Sequence, residues 1–422
     1  MMIVSAALIF SLLVTIQAAY TVYLMIYTWD QPDAHDAAAA PESFEPPRIS
    51  FTVLLPARHE EEVIQQTMDR VVNANYPAEL IETLVVCEAS DTGTIAKAQD
   101  KIAELNRGRN LNLRVVAFTD RPINKPHGLN FGFAQSKSDV VTIFDAEDEI
   151  HPEIFNVVNT VMIREKVRVV QCGVQLMDYD SSWYSTLNVL EYYFWFKSRL
   201  HFHANHGMIP LGGNTVFFRR EVMTALGGWD EANLTEDADI GIRLSAIGEK
   251  VRVVYDDRYV TKEETPPSLA QFVKQRTRWS QGFIQTLFKA DWRNLPNFEQ
   301  KFLAVYTLAF PIFQAVLALY VPVALWMMLS IPSAIVVAMV LMLPLYLLLA
   351  HYVISVVGLY EFASAHGLHP PLTMSLKMAA VYLPYQWVLA YAALRAMLRQ
   401  VRGVTNWEKT KHVGAHRVDR TI

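Results

Sequence analysis

Hydrophobic positions form three kinds of pattern along the chain, and each predicts a different kind of element. Residues 1–29 carry no charged side chain, and this run exceeds the roughly 20 apolar residues that cross a bilayer core. Over residues 49–260, short β-branched runs alternate with longer helical patterns, which is the rhythm of a mostly parallel sheet. Residues 302–360 again lack Asp, Glu, Lys and Arg. The pattern therefore predicts an α/β domain between hydrophobic segments.

The same pattern divides the chain into six predicted segments. They are a transmembrane anchor at 1–29, a linker at 30–47, an α/β domain at 48–265, amphipathic interface helices at 266–300, a C-terminal transmembrane region at 301–398, and a basic cytoplasmic tail at 399–422. A secretory signal is the alternative for the first segment. It is disfavoured because no Lys or Arg precedes the apolar run, which is also longer than a signal h-region.

Four successive strands are predicted in the α/β domain, with helices between them. The predicted strands are 49–55, 82–86, 113–117 and 140–144, and the predicted helices are 60–73 and 94–105. In sheets of this type, ligands bind at the carboxyl ends of the strands. The polar residues that directly follow each strand are therefore the candidate site.

The C-terminal hydrophobic region has room for two spans, and its orientation raises a conflict. A hairpin at 330–333 could separate the two spans, and a further apolar stretch at 378–394 precedes a cluster of Lys and Arg. The positive-inside rule places that cluster in the cytoplasm, and Arg48 and Arg58 favour a cytoplasmic α/β domain with the N-terminus outside. Three full spans after this domain would leave the tail outside. One C-terminal segment must then be interfacial or re-entrant, or the rule fails.

Composition and charge exclude several classes of protein. Hydrophobic types at 52% and charged types at 19% exclude a disordered chain. The formal net charge of -5 provides no basic surface, so nucleic acid is not an expected partner. Cys87 and Cys172 lie in apolar runs typical of strands, where a small buried thiol is the ordinary interpretation. Neither a disulfide framework nor a cysteine metal site is predicted.

Acidic residues are concentrated directly after the fourth predicted strand, at Asp145, Glu147, Asp148 and Glu149. Carboxylates this close repel one another unless a cation lies among them, and hard oxygen ligands suit Mg²⁺ or Mn²⁺. A solvated acidic loop is the alternative. The position at the carboxyl end of a strand favours the metal site.

A second acidic group, Thr235-Glu236-Asp237, opens a predicted helix at 237–246. Thr235 is a candidate N-cap, and acids in a first helical turn stabilise the macrodipole, so a purely structural role is open. A carboxylate beside other carboxylates could also serve as a general base. Just upstream, Gly228 and Trp229 could present a backbone and a ring to a sugar, although a turn beside a core tryptophan explains them equally well.

The amphipathic segment 267–288 carries Gln275, Arg278 and Trp279 on one helical face. The planar guanidinium of Arg278 suits a leaving diphosphate. The alternative is a helix in the membrane interface with snorkelling arginines and an aromatic anchor, and a surface helix of the α/β domain would look similar.

These motifs, in this order and between hydrophobic segments, resemble the processive branch of glycosyltransferase family 2, which includes cellulose, hyaluronan, chitin and mannan synthases. The resemblance runs from residue 49 to the C-terminus and implies a GT-A type, Rossmann-like fold. The matching motifs are VLLPARHE at 53–60, VVCEASD at 85–91, KPHGLN at 125–130, DAED at 145–148, TED at 235–237 and QRTRW at 275–279. The tail run NWEKTKH at 406–412 is also similar to bacterial members.

The resemblance assigns a role to each motif. It implies Asp145 and Glu147 as metal ligands, with Asp148 able to share that role, and Asp237 as the base within its Thr-Glu-Asp motif. It implies nucleotide or diphosphate contacts for Glu60, Glu88, Lys125, Arg276 and Arg278, and acceptor contacts for Gly228, Trp229, Gln275 and Trp279. Cys87 and Glu88 stand where the family usually has paired aspartates, so the sequence leaves the nucleobase less defined than the fold.

The function implied is that of an inverting, membrane-integrated hexosyltransferase with Mg²⁺ or Mn²⁺ as cofactor. It would transfer a hexose from a nucleotide diphosphate sugar, with UDP favoured over GDP, to a growing glycan, and so build a β-linked polysaccharide. The alternatives are a non-processive transferase with a lipid or polyprenyl phosphate acceptor, and a silent nucleotide-sugar-binding scaffold. We expect a multi-pass protein of a bacterial cell membrane, in contact with membrane lipids and with envelope proteins as further candidate partners.

Three histidines, His201, His203 and His206, suggest a metal site by composition alone. Their aromatic neighbours favour an interface or core position instead.

Overall fold

The structure is a computed structural model that describes residues 2–31, 33, 38–330 and 335–409. The strands in this part of the chain are short, and helices separate most of them. They are β1 (Phe51–Ala57), β2 (Ile81–Glu88), β3 (Asn112–Phe118), β4 (Val140–Ile143), β5 (Val169–Cys172), β6 (Val174–Leu176), β7 (Val216–Arg219), β8 (Val251–Val254) and β9 (Thr261–Glu263).

Helices make up most of the remaining described chain. They are α1 (Met2–Asp30), α2 (Ile64–Val72), α3 (Thr92–Leu105), α4 (Lys125–Gln135), α5 (Ile154–Glu165), α6 (Ser185–Phe194), α7 (Leu200–Asn205), α8 (Arg220–Leu226), α9 (Glu236–Ala246), α10 (Leu269–Lys289), α11 (Phe298–Leu308), α12 (Phe310–Ser330), α13 (Ile335–Ala365) and α14 (Thr373–Val401). A π-helical segment, Trp195–Arg199, joins α6 to α7.

A seven-stranded sheet with the order β3-β2-β1-β4-β7-β5-β8 forms the centre of the α/β domain. Its pairs are parallel except where β7 runs antiparallel between β4 and β5. The predicted mostly parallel α/β fold is confirmed. The first four strands lie within two residues of their predicted bounds, and β1 extends to Ala57 because its pairing with β2 continues to Cys87.

Both faces of the sheet are buried, which explains why the strands read as nearly continuous apolar runs. In β1, the side chains of Phe51, Val53 and Leu55 join one hydrophobic cluster, and that of Leu54 joins the cluster on the opposite face. The candidate site residues follow the strands and therefore lie at the carboxyl edge of the sheet.

Within the described residues, three helical stretches are long and apolar enough to cross a membrane: Ala7–Asp30, Phe310–Met327 and Val337–Ala365. The predicted hairpin at 330–333 falls mostly on residues outside the described part of the chain, as do residues 410–422 of the predicted tail. The two C-terminal stretches belong to α12 and α13. Two spans in succession return the chain to the side from which it left.

Helix α14, which contains the apolar stretch 378–394, contacts the α/β domain near its start and α10 near its end. Lys377 Nζ lies 2.6 Å from Asp180 Oδ1, and Arg399 Nε donates to Gln281 Oε1 over 2.9 Å. Within the described residues, α14 is not among the helical stretches that are long and apolar enough to cross a membrane. Both observations favour the alternative in which one C-terminal segment does not span.

Candidate functional site

Two adjoining cavities lie at the carboxyl ends of the strands. The smaller cavity, of about 140 Å³, is lined by the ends of β1 and β2, the start of α4 and the tail. The larger cavity, of about 320 Å³, extends from the start of α9 past α10 to α12, α13 and α14. Lys125, Asp145, Glu147 and Arg278 line both, so the two cavities meet along these four side chains.

The smaller cavity contains four of the five predicted nucleotide or diphosphate residues: Glu60, Glu88, Lys125 and Arg278. Glu60 is nearly buried, and its Oε1 lies 2.8 Å from Lys409 Nζ. Burial, followed by repulsion from Glu147, raises the pKa of Glu60 to about 8. Glu88 is half-buried at the end of β2, where hydrogen bonds from Ser90 lower its pKa.

The loop after β4 presents Asp145 and Glu147 to both cavities but turns Asp148 inward. Asp148 is fully buried, and its carboxylate accepts hydrogen bonds from Asn214 Nδ2 over 2.8 and 3.0 Å and from the Asp145 backbone N–H over 2.8 Å. Burial and the charge of Glu263 raise its pKa well above the usual range. Asp148 lines neither cavity. This geometry favours a role in positioning the loop over the ligand role that the resemblance allowed.

Carboxylates crowd the junction of the two cavities, as a divalent cation site requires. Glu263 faces the larger cavity, and burial together with repulsion from Glu147 and Asp145 raises its pKa to about 8. Repulsion from Glu147 and Asp145 also raises the pKa of Glu60, which lines the smaller cavity. A cation among Asp145 and Glu147 would relieve it, and carboxylate oxygens are the donors that Mg²⁺ and Mn²⁺ prefer. The residues present therefore fit such an ion.

Among the described residues, the closest grouping of three potential metal ligands is elsewhere, at His59, Glu61 and Asp91. Asp91 already has structural partners. Its carboxylate accepts the backbone N–H of His59 over 2.6 Å and that of Thr94, at the start of α3, over 3.4 Å. These bonds account for its position without a metal.

The acids at the start of α9 flank the same cleft as the loop after β4. Lys125 Nζ lies 2.6 Å from Asp145 Oδ1 and 3.8 Å from Glu236 Oε1, so a single ammonium joins the two acidic groups. Burial alone would lower the pKa of Lys125, but these two carboxylates raise it. Burial raises the pKa of Glu236 to about 7 and also raises the pKa of Asp237.

Asp237 borders the larger cavity beside a glycine whose conformation suits only a small residue. Gly213 has φ +84°, and a Cβ at this position would lie 3.4 Å from Asp237 Oδ2. Thr235 makes no side-chain cap bond to the helix; its Oγ1 donates to Asn233 Oδ1 over 3.3 Å. Thr235 thus occupies the predicted N-cap position, where its carbonyl accepts the Asp239 N–H over 3.1 Å, but its side chain does not cap the helix. Its side chain packs instead against Gly282 of α10.

Helix α10 places Gln275, Arg278 and Trp279 on the wall of the larger cavity, as the helical spacing predicts. The guanidinium of Arg278 lies 4.5 Å from the ring centre of Trp407, and its Nε is buried without a hydrogen-bond partner in the described chain. Arg276 is placed differently: it lies 2.5 Å from Glu191 Oε2 and lines only the larger cavity. The structure therefore does not bring Arg276 to the predicted nucleotide pocket.

Gly228 and Trp229 lie outside both cavities. Trp229 is 4% exposed, packs against Phe133 and Phe218, and donates its backbone N–H to Asn130 Oδ1 over 2.8 Å. The structure gives no support to a direct acceptor contact. The alternative, a turn beside a core tryptophan, describes this position.

The three histidines also serve packing. His203 is buried, and burial together with Arg199 lowers its pKa to about 3. His206 stacks on Phe202 with ring centres 4.0 Å apart. His201 is buried as well, and the three do not form a metal group within the described part of the chain.

Sequence reasoning assigned no role to four side chains at the site: Asn214, Glu263, Trp407 and Lys409. The tail run at 406–412 carried a signal, since its similarity was visible, but nothing local indicated that it folds back over β1. Lys409 Nζ also donates to the carbonyl of His59 over 2.9 Å. Glu263 carried a weaker signal, as an acid that ends a short strand.

Comparison with known proteins agrees with this geometry. Residues 46–282 match the family model described as Glycosyltransferase like family 2. The chain belongs to this family. That membership places the cleft between Asp145 and Asp237 in a glycosyltransferase domain of GT-A type.

Several curated relatives of this family 2 chain share 24–29% identity with it. They include a probable glycosyltransferase, YdaM, of Bacillus subtilis (29% over 56% of each chain), a beta-monoglucosyldiacylglycerol synthase of Trichormus variabilis (24%; 56% of this chain, 49% of the relative), and a poly-beta-1,6-N-acetyl-D-glucosamine synthase of Staphylococcus epidermidis (24%; 62% and 60%). The chain thus matches about half to three fifths of the length of these relatives.

A solved structure supports the fold. The mannosyltransferase PcManGT from Pyrobaculum calidifontis, in complex with GDP-Man and Mn²⁺, aligns with a TM-score of 0.55 at 20% identity over 92% of this chain and 98% of that chain. At this identity, the likeness is one of fold.

Proposed function

We propose that this glycosyltransferase transfers a hexose from a nucleotide diphosphate sugar to a carbohydrate hydroxyl with inversion, and that it extends a β-linked polysaccharide. One observation carries the proposal: Lys125 contacts both Asp145 and Glu236, so the two acidic groups flank one cleft. On one side of that cleft lies a pocket suited to a nucleotide, and on the other a cavity suited to an acceptor.

In this mechanism, Asp237 accepts the proton of the attacking hydroxyl. A carboxylate whose pKa is raised toward neutrality is a stronger base than an exposed aspartate, and burial raises the pKa of Asp237. Arg278 and Lys125 stabilise charge on the departing diphosphate. Asp145 and Glu147 would hold Mg²⁺ or Mn²⁺, which neutralises part of that charge when bound. Attack from the face opposite the leaving group inverts the anomeric centre.

The lining of the larger cavity supports a glycan acceptor. Its aromatic side chains include Tyr192, Trp195 and Trp279, and amide groups of Gln275 and Gln386 lie among them. Flat rings pack against the apolar faces of sugars while amides bond their hydroxyls. Gln275 Oε1 is buried without a partner in the described residues and is available for such a bond.

A lipid acceptor is the second candidate, because the larger cavity also reaches Gln314, His351 and Ser355 in the two C-terminal apolar stretches. Relatives named for a diacylglycerol product and for a polysaccharide product both occur. A silent scaffold is disfavoured because acids are present at both ends of the cleft. We favour UDP over GDP as the nucleotide of the donor.

We place the protein in a bacterial cell membrane as a multi-pass protein, with its N-terminus outside and its α/β domain in the cytoplasm. The return of the chain after two C-terminal spans agrees with a cytoplasmic tail. The six-segment division of the chain and the contacts with membrane lipids and envelope proteins belong to the same proposal.

The test is an assay of the purified full-length chain in detergent with UDP- and GDP-hexoses, Mg²⁺ or Mn²⁺, and short oligosaccharide acceptors. We expect released nucleotide and products that lengthen with time. Products that stop after a single addition to a lipid would replace the polysaccharide proposal by the second candidate. A lack of metal-dependent nucleotide release with every donor would overturn the enzymatic proposal.

A further inference from the structure

Two arginines of the larger cavity differ from the other cations near it. Lys125, Lys197 and Arg276 each have a carboxylate oxygen within 2.7 Å, from Asp145, Glu361 and Glu191 respectively. Arg278 and Arg199 have no ion pair within the part of the chain that the structure describes. Each has a buried Nε without a hydrogen-bond partner there.

Arg278 has an evident ligand in the proposed reaction, because it borders the smaller cavity, where a diphosphate would bind. Its guanidinium rests on the ring of Trp407, at 4.5 Å. Arg199 repeats this arrangement at the other end of the larger cavity, where its guanidinium lies 5.4 Å from the ring centre of Phe310. The ring supports the cation and leaves its donors available. Both arginines thus have donors available for an anion, while carboxylates act on them only from beyond ion-pair distance: Glu191 on Arg199, and Glu236 and Asp237 on Arg278.

The location of Arg199 indicates which kind of anion this is. Arg199 ends the π-helical segment Trp195–Arg199, and the preceding Ser198 packs on α1, donating to the Leu24 carbonyl over 2.9 Å. Leu24 lies in the apolar stretch Ala7–Asp30, and Phe310 begins the stretch Phe310–Met327. The cavity around Arg199 therefore lies against two helices that are apolar enough to cross a membrane.

Apolar side chains line the same cavity as Arg199, together with a few uncharged polar ones. The apolar ones include Met25, Phe194, Phe310 and Leu389, and the polar ones include Gln314, His351 and Ser355. A guanidinium inside apolar walls matches a phosphate joined to hydrocarbon chains, because the charge is paired and the chains replace water against the walls. An acidic glycan would place hydroxyl groups against these walls.

We propose that Arg199 forms a phosphate subsite at the membrane end of the larger cavity and binds the phosphate of a membrane lipid that carries the acceptor. This deepens the proposed function and rests on it for the role of the lipid as acceptor carrier. The binding itself does not depend on transfer. A lipid phosphate at Arg199 supplies an ion-pair partner where the described chain has none, since Glu191 attracts this half-buried arginine only from beyond ion-pair distance.

The experiment measures lipid binding to the full-length protein by native mass spectrometry in a non-ionic detergent, without donor. The probes are dioleoyl phosphatidic acid and dioleoylglycerol, which have the same chains and differ in the phosphate. We expect phosphatidic acid to bind about tenfold more tightly, and Arg199→Gln to remove that preference. Arg199→Lys should restore part of it. Arg293→Gln, which removes an exposed cation of the interface region, is the matched control and should bind as the unmodified protein does.

Equal losses in the Arg199→Gln and Arg293→Gln variants would show general attraction to charge and overturn the proposal. Unchanged binding in Arg199→Gln would also overturn it, as would displacement of phosphatidic acid by a uronic acid oligosaccharide at lower concentration than by inorganic phosphate.

Thermal unfolding tests whether the Arg199→Gln variant has a folding defect. Without lipid, Arg199→Gln should unfold at the same or a higher temperature, because a half-buried charge without an ion pair in the described chain has been removed. Phosphatidic acid should raise the unfolding temperature of the unmodified protein alone. Earlier unfolding of the variant without lipid would assign Arg199 a structural role. Loss of transfer with lipid binding intact would count against the proposed function and not against this subsite.

Discussion

Replacement of Asp237 by Asn tests the base assignment most directly. The change keeps the shape of the side chain and removes the proton acceptor. Asp237 borders the larger cavity, beside Gly213, and does not line the smaller one. We therefore expect loss of transfer with little change in nucleotide binding.

The size of the effect follows from the geometry and the charge state. A positioned general base contributes about 10²- to 10⁴-fold to a rate, so turnover of Asp237→Asn should fall by at least about 100-fold. Stability should not fall. Because burial raises the pKa of Asp237 in the folded protein, its charge is disfavoured there above the unfolded pKa, and a neutral amide removes that penalty.

The matched control is Asp239→Asn, two positions along the same helix. Asp239 is fully buried and lies 2.8 Å from Arg243 Nε and 2.6 Å from Lys289 Nζ. Removing one partner of a buried ion pair destabilises by about 3–5 kcal/mol. This variant should therefore unfold at a lower temperature while its folded fraction turns over normally. Initial rates of nucleotide release, calorimetric titration with the nucleotide and thermal unfolding together separate the two effects.

Turnover of Asp237→Asn within tenfold of the unmodified protein would refute the base assignment. A loss of nucleotide binding equal to the loss of rate would also refute it, since Asp237 would then act on the donor and not on the acceptor.

Three other predictions follow from the contacts at the junction of the cavities. Lys409→Ala should weaken nucleotide binding by about three- to tenfold, because the ammonium that lies 2.8 Å from Glu60 also faces the smaller cavity; unchanged affinity in a calorimetric titration would contradict this. Asn214→Ala should lower the unfolding temperature by an amount equivalent to about 1–3 kcal/mol, because its amide bonds the buried carboxylate of Asp148 and that of Glu263; an unchanged unfolding temperature would show that water replaces it. Mn²⁺ affinity should rise from pH 6 to pH 8. The pKa values of Glu60 and Glu263 are raised to about 8, and a cation that binds beside these carboxyl groups releases their protons. Calorimetric titrations in two buffers of different ionisation heat measure the number of protons released. The stability of the metal-free protein should change with pH in the opposite direction. The pKa values of Glu60 and Glu263 in the folded protein lie above the ordinary 4.5, so the folded state binds more protons than the unfolded state. Stability is therefore lost as the pH rises from about 4.5 through 8.

Local sequence predicted the first half of the sheet well because each of its strands is an apolar run of β-branched residues, buried on both faces. It did not predict β7 between β4 and β5, where a short strand runs antiparallel to both neighbours. The order of strands depends on contacts between segments that are distant in sequence. The alternation of apolar and polar residues within one strand carries no information about which strands are its neighbours.

Local sequence also identified which acids to inspect, but not which of them face the cleft. Asp145, Glu147 and Asp148 are equivalent by spacing, and Asn214, which lies 66 residues beyond Asp148, holds that carboxylate away from the cavities. Trp229 is a second example. A glycine pair before a tryptophan is expected both where the ring contacts a sugar and where it packs in the core beside a turn, so the sequence alone does not distinguish the two.

The membrane region gives a third example. Residues 378–394 form an uncharged apolar run, but the helix that contains them is not among the candidate spans of the described residues. The contacts of Lys377 with Asp180 and of Arg399 with Gln281, which join segments distant in sequence, could not be read from hydropathy.

By itself, then, the sequence determined the types of element, the apolar stretches and the chemistry of the candidate groups, since periodicity and composition act over a few residues. The tertiary structure alone decided which carboxylates converge through Lys125, that Lys409 reaches Glu60 from the far end of the chain, and that Arg199 has no ion pair within the described residues. These properties arise when segments distant in sequence are packed together and water is removed between them. The free energy of a charge depends on those neighbours and not on its position in the sequence.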